Sequence, residues 1–356
     1  MNKMTRNVLL TGFLLVCTYT MFSLHRASDL QKSRQSDIST LQTQIDLDAP
    51  MTMDSQVVLR LANNQGPEHP ASVACDYFAN LVDEMSGSRI RILTYHSGRL
   101  GDEKSTVQQV VYGGIDIARV STALLIEYEP RLIALQMPYL YENSDHMWKV
   151  LNSSIGEDYL SCMEDIGVVG LCWYDAGARN FYTADNAVSS VEDLDGMKIR
   201  VQESSLMVDV ISALGAVPVQ IPYDRVAAAL REGEIDGAEN NVSSYISMGH
   251  YTKAPYIVND EHVRIPEMII INKSVLESLS QEDQEIIRTA AAKSSLRQRQ
   301  LWDEQEENNR KTLEKAGAVI TEVENKEEFI KSVQPVYQKY GESYEDIVAQ
   351  IREMKD

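Results

Sequence analysis

The stretch DLDGMKIRVQESSLMVDVISALGAVPVQIPYDRVAAALREGEIDGAEN, residues 193–240, decides how this chain folds. Met197–Val201, Pro218–Ile221 and Ile235–Ala238 are brief apolar runs of strand length, bordered by glycine or proline. Between them, Ser204–Leu214 and Asp224–Glu232 place their apolar residues three and four apart, as a helix burying one face requires. Such alternation predicts mixed α/β sheets flanked by helices.

The same rhythm extends toward the N-terminus. Val57–Ala62 reads as a strand; Ala74, Tyr77, Phe78, Leu81, Val82 and Met85 recur at helical spacing; Arg89–Tyr95 returns to strand. A helix after Asp102, a strand at Ile115–Val120, a helix around His146–Ile166 and an apolar strand at Val168–Tyr174 follow, and beyond residue 240 Met268–Asn272 is a further strand. One element breaks the pattern. From Ser280 to Ala316 there is no proline, Ser280-x-x-Asp283 opens as a capping box, and Gly317 closes the run. A helix of that length extends about 50 Å, more than one small domain's diameter, so it must span two domains or bend around them.

The first residues stand apart. Lys3 and Arg6 precede an apolar run from Val8 to Leu24, and His25-Arg26 close it, so residues 1–26 read as a signal peptide or an uncleaved signal anchor. Residues 27–53 are polar and read as a tether. This places the folded part outside the cytoplasm, on the outer face of the membrane or in the periplasm, with membrane contact through the N-terminal segment only. The balance of 53 acidic against 33 basic residues, a net −20, excludes nucleic acid or anionic lipid as the main partner, since both need a basic face. Cys75 falls on the apolar stripe of its helix and Cys172 inside an apolar strand. With Cys162 they match no metal or redox spacing and read as small buried thiols.

No catalytic pattern stands out. G-x-S-x-G, the P-loop, H-E-x-x-H and a strand-borne G-x-G-x-x-G are all missing, and no two of the six histidines lie close enough to share a helix face as a ligand pair. The sequence therefore predicts neither enzyme, cofactor nor metal, and calls for arginines placed inside the fold to meet any anionic ligand.

Five stretches carry a resemblance: Ser97-Gly98-Arg99-Leu100-Gly101-Asp102; Gly177-Ala178-Arg179-Asn180-Phe181-Tyr182; Asp193-Leu194-x-Gly196-Met197-Lys198-Ile199-Arg200-Val201; Leu214-Gly215-Ala216-x-Pro218; and Ala229-Leu230-x-x-Gly233-x-Ile235-Asp236-Gly237-Ala238-Glu239-Asn240. In this order they resemble the solute-binding subunit of tripartite ATP-independent periplasmic (TRAP) transporters, the DctP family, over about 290 residues from Val57 to near Tyr340. The resemblance implies a two-domain α/β clamshell like that of periplasmic binding proteins, with mixed β-sheets, a long helix spanning both domains, and a cleft that closes on its ligand. Residues 54–176 and 266–305 form domain I on this reading, and residues 177–265 and 306–356, with the C-terminal helices, form domain II.

The resemblance also implies roles. Arg200, in the Lys-Ile-Arg-Val strand, clamps the ligand carboxylate, and a planar guanidinium fork suits two coplanar oxygens. Arg179 assists from the end of the Val168–Tyr174 strand. Asn240 contacts ligand with Glu239 as its supporting partner, and Tyr223 offers a ring to a sugar. From domain I, Asn64 and Glu103 hydrogen-bond hydroxyls or an amine. His262 joins the set at the cleft rim or as a structural residue. Asp260-Glu261-His262-x-Arg264-x-Pro266-Glu267, with Tyr174-Asp175-x-Gly177-Ala178-Arg179, resembles the subgroup that binds uronates and related sugar acids. The expected partners are a small organic acid and the TRAP membrane subunits; a sensor or chemoreceptor module, or a binder of a C4-dicarboxylate or keto acid, are the alternatives.

Overall fold

A computed structural model describes residues 57–355. The expected signal segment, the tether and Cys17 lie outside the described residues.

Twelve strands of the described residues form two sheets. The first is built from β1 (Val57–Ala62), β2 (Ile90–Tyr95), β3 (Ile117–Ser121), β4 (Val168–Tyr174) and, much later in the chain, β11 (Glu267–Asn272). Its order is β2-β1-β3-β11-β4, parallel among the first three strands and antiparallel where β11 enters. Every residue of β4 and β11 is buried, which is why both read as unbroken apolar runs without alternation. The second sheet holds β5 (Ala178–Thr183), β6 (Lys198–Val201), β7 (Val217–Gln220), β8 (Gly237–Asn240), β9 (Tyr256–Asn259) and β12 (Val319–Glu322) in the order β12-β9-β5-β8-β6-β7, with β10 (Val263–Arg264) paired to β5. The three strands read first, β6, β7 and β8, lie side by side and parallel.

Two strand pairs carry the chain between the sheets. The segment Asp175–Gly177 links β4 to β5, and Ile265-Pro266 links β10 to β11. These crossings run antiparallel alongside each other, with Glu267 opposite Tyr174 and Arg264 opposite Ala178.

The long helix is Gln281–Ala316. The Asp283 N–H donates to Ser280 Oγ at 3.1 Å to start it, and Gly317 ends it in the left-handed region at φ +74. Its first half packs Ile287, Ala290 and Ala291 against Phe78, Cys75 and Tyr174, and near its end Leu313 packs with Tyr245 and Ile257. Between these apolar ends the inward face turns small and polar, because it meets backbone. Ser295 Oγ donates to Trp173 O at 2.6 Å, and the Gln298 side chain both accepts from the Asp175 N–H at 2.8 Å and donates to the Asp175 C=O at 2.9 Å. The C-terminal helix Gln334–Glu353 bridges as well: Tyr337 donates to Pro138 O, and Lys339 to Asp209.

The helix expected around 146–166 is instead two short helices, Ser144–Leu151 and Ser154–Ser161, and a 3-10 turn, Glu164–Ile166. Asn152-Ser153 interrupt it. Ser153 Oγ accepts from Ile155 N at 3.2 Å and caps the second helix. The described cysteines, Cys75, Cys162 and Cys172, are buried and free, as small core residues.

Gly177 occupies the tightest point of the crossing. Its φ is +63, and a Cβ there would sit 2.9 Å from Glu306 Oε1 and 3.0 Å from the Trp302 ring. Gly233, at φ +69 with open space around it, isolates the backbone strain alone. Gly177→Ala should therefore destabilise by about 1–3 kcal/mol in urea unfolding, and by more than Gly233→Ala. Equal effects at both positions would show that the contact with Trp302 is not felt.

Candidate functional site

Where the two sheets face each other, a cavity is lined by polar side chains from both. From the first sheet and its loops come Asn64, Gln65, Glu103, Arg119 and Glu267; from the second, Arg179, Arg200, Gln202, Tyr223 and Asn240. Roomier hollows exist elsewhere, such as the one beneath the long helix beside Asn180, Asn259 and Glu306, but that one gathers no arginine. A buried guanidinium cannot shed its charge, so each must be accounted for.

Arg119, 1% exposed, is satisfied on every side. Its Nη1 donates to Glu267 at 2.8 Å and to Glu103 at 3.4 Å, its Nη2 to Asn64 Oδ1 at 2.8 Å, and its Nε to Asn63 Oδ1 at 3.1 Å. Glu103 is held in turn by the Ser121 N–H at 2.7 Å and by Asn64 Nδ2 at 3.0 Å.

Arg179, from β5, is also engaged. Its Nε and Nη2 grip both carboxylate oxygens of Glu239, and Nη1 donates to Asn240 Oδ1 at 2.9 Å. β5 and β8 are antiparallel neighbours that set Asn180 opposite Asn240 and Phe181 opposite Glu239, which brings the fork onto its partner. Behind Glu239 lies His262, fully buried, stacked on Phe181 at 4.4 Å between centroids and hydrogen-bonded to Asp260 at 2.8 Å. Burial works against an imidazolium here, but Asp260 and Glu239 outweigh it and carry the His262 pKa to about 9. Burial likewise works against ionised Glu239, yet Arg179 and His262 hold its pKa at about 2. The result is a linear chain of alternating charges, Arg179–Glu239–His262–Asp260, with His262 Nε2 at 3.5 Å from Glu239.

Arg200 is different. It is 2% exposed, its Nε donates to Ile221 O at 2.8 Å, and its Nη1 is buried with no hydrogen-bond partner. Among the described residues no carboxylate pairs with it within ion-pair distance. Desolvation pulls its pKa down, with Glu239 only partly opposing from a distance. A buried, uncompensated cation facing a cavity is a seat for an anion. Tyr223 closes the cavity from the second sheet, its hydroxyl donating to Gln65 Oε1 at 3.1 Å across the cleft.

Of the residues singled out in the sequence, Arg200, Arg179, Asn240, Tyr223, Asn64 and Glu103 thus line one cavity, whereas Glu239 and His262 stand one layer behind it. Of the two places expected for His262, cleft rim or structural residue, the structure shows the second: β10 pairs with β5 and the imidazole is buried against Phe181. Sequence reasoning missed Arg119 and Gln202, and it quoted Glu267 within the uronate-subgroup motif without giving it a role.

The model of the DctP family, described as bacterial extracellular solute-binding protein, family 7, matches residues 61–343. The chain belongs to this family. Its relatives include a solute-binding protein of Chromohalobacter salexigens, 31% identical over 294 residues that make up 83% of this chain and 88% of that protein. Among solved structures, a TRAP periplasmic solute-binding protein from Bradyrhizobium, in complex with D-galacturonate, is 38% identical, with a TM-score of 0.81 over 83% of this chain and 99% of that one. One from Roseobacter denitrificans with bound β-D-glucuronate is 33% identical, with a TM-score of 0.80 over 83% and 99%. The mixed two-sheet fold and long helix of this DctP-family chain are those of two-domain periplasmic binding proteins, and its role is that of a solute-binding component of transport.

Proposed function

We propose that this DctP-family chain captures a uronate, holds its carboxylate on Arg200, and delivers it to the membrane subunits of a TRAP transporter. The observation that carries this reading is the Arg200 guanidinium, buried and uncompensated while the neighbouring arginines are matched by carboxylates. An anionic ligand supplies the missing charge, and the surrounding amides, tyrosine and carboxylates suit the hydroxyls of a sugar acid. The bound uronates of the Bradyrhizobium and Roseobacter proteins support the same class.

On this reading residues 54–176 with 266–305 form one lobe and 177–265 with 306–356 the other. They close by bending at the paired crossings, and the closed form docks on the permease. Residues 1–26 export or anchor the protein on the outer side of the membrane.

A thermal-shift screen of D-glucuronate, D-galacturonate, succinate, pyruvate and sialic acid tests the ligand class. A uronate at about 100 times its Kd adds about 2.7 kcal/mol to the folded state and raises the melting temperature accordingly. A response to succinate with none to either uronate would sink the proposal and favour the dicarboxylate reading, which the 26%-identical C4-dicarboxylate-binding protein of Bacillus subtilis keeps in view.

A further inference from the structure

We infer that Glu267 is a specificity-determining residue of the site: its Oε2 accepts a hydrogen bond from a hydroxyl of the bound sugar acid. The inference rests on the uronate reading above and deepens it.

Three carboxylates stand at or just behind the cavity wall. Both oxygens of Glu239 are held by Arg179, and both oxygens of Glu103 are held, one by the Ser121 N–H and Arg119 and the other by Asn64. Glu267 is only half used. It opens β11 directly after the Pro266 crossing, is 6% exposed and lines the cavity; Oε1 takes Arg119 Nη1 at 2.8 Å, while Oε2 is buried with no partner. An ionised carboxylate is purely an acceptor, and burying one of its oxygens unpaired is costly. Burial, with Glu103 and Asp175 adding to it and Arg119 and Arg179 opposing, accordingly raises the Glu267 pKa to about 7.

Two further atoms complete the pattern. Gln202 Oε1, two residues beyond Arg200, is likewise buried and unpartnered, as is Arg200 Nη1. The cavity thus presents one unmatched cationic donor and two unmatched acceptors. A keto acid or an unsubstituted dicarboxylate, once its carboxylate sits on Arg200, has no O–H to give to Glu267. A sugar acid has several.

The experiment is a titration cycle. Binding of D-glucuronate and its singly deoxygenated ring analogues to wild type and Glu267→Gln is measured calorimetrically near pH 8, where Glu267 is mainly ionised. In wild type one deoxygenation should weaken binding by about 10- to 100-fold, because it leaves a buried carboxylate unpaired. In Glu267→Gln that penalty should fall below about 3-fold, with the other penalties unchanged. Penalties identical in the two proteins overturn the assignment while leaving the uronate reading intact. No binding of D-glucuronate or D-galacturonate to wild type overturns both.

Should Glu267→Gln fail to fold, wild type alone decides. A donated hydroxyl favours the ionised form and lowers its pKa, so the ratio of D-glucuronate affinity to that of the critical deoxy analogue must rise with pH through about 7 and level off above it. The charge of the ligand carboxylate is common to both compounds and cancels in the ratio. A ratio flat from about pH 5.5 to 8.5 overturns the inference.

Discussion

Arg200→Ala should weaken uronate binding by about 100- to 1,000-fold while leaving the unfolding free energy of the unliganded protein within about 1 kcal/mol of the parent. The two halves of this expectation have one cause. In the cavity Arg200 gives up a single hydrogen bond, to the Ile221 carbonyl, and takes no ion pair. Deleting it removes a modest bond and at the same time relieves an unmatched buried charge, so folding barely notices. Ligand binding notices strongly, because the incoming carboxylate then enters a desolvated site with no partner, at a cost of about 3–4 kcal/mol. Arg200→Lys should recover only part of the loss, since an ammonium keeps the charge without the fork. Calorimetric titration reads the first half and urea unfolding the second. Unchanged affinity in Arg200→Ala would remove the clamp from the mechanism.

Arg179→Ala should do the reverse, lowering folding stability by about 3–5 kcal/mol even without ligand. Its guanidinium is committed to Glu239, and its removal leaves a fully buried carboxylate with, among the described residues, only His262 within ion-pair distance, at 3.5 Å. Glu239→Gln placed on the Arg179→Ala background should restore part of the loss, because a neutral amide costs less to bury than an orphaned charge. Chemical denaturation of the two single variants and the double variant gives the coupling energy directly. A coupling near zero would mean that the pair is geometrically close but energetically idle. Two arginines of similar burial, from neighbouring parts of one motif set, thus differ in kind: one is matched by a carboxylate, and the other is left for the ligand of the proposed function.

That difference was not legible in the sequence, although both positions were. Motif order placed Arg179, Arg200, Asn240 and Tyr223 together, but the partners of Arg179 depend on strand pairing between β5 and β8, and β5 was not expected to be a strand. Ala178–Thr183 carries Arg, Asn and Thr at positions that a short apolar-run reading leaves as loop, and its polar side chains are buried because other segments satisfy them: Arg179 donates to Glu239 and Asn240, and Asn180 Oδ1 accepts from the Glu261 N–H. Arg119 and Glu267 escaped for a related reason. Each is a lone charge in or at the end of an apolar strand, and that is a usable signal: a charge in a fully buried strand requires an opposite partner, and β3 and β11 are adjacent. By contrast, β1 and β4 match their expected ends, as does the Gln281–Ala316 helix, because their boundaries are fixed locally by periodicity and caps. The Ser144–Ser161 region failed at its break, where a Ser N-cap competes with helix continuation and apolar spacing alone does not register it.

The chain has three tryptophans, and all of them surround the short crossing from β4 to β5. Trp148 Nε1 donates to Asp175 at 2.6 Å, Trp173 sits two residues ahead of Asp175 in β4, and the Trp302 ring lies against Gly177. Light at the red edge of the protein absorption band, where tyrosine is dark, therefore excites only this pivot. For the closure proposed above, the natural sequence carries its own optical gauge: emission recorded during rapid mixing with ligand should follow the bending of the crossing without a label or an engineered probe.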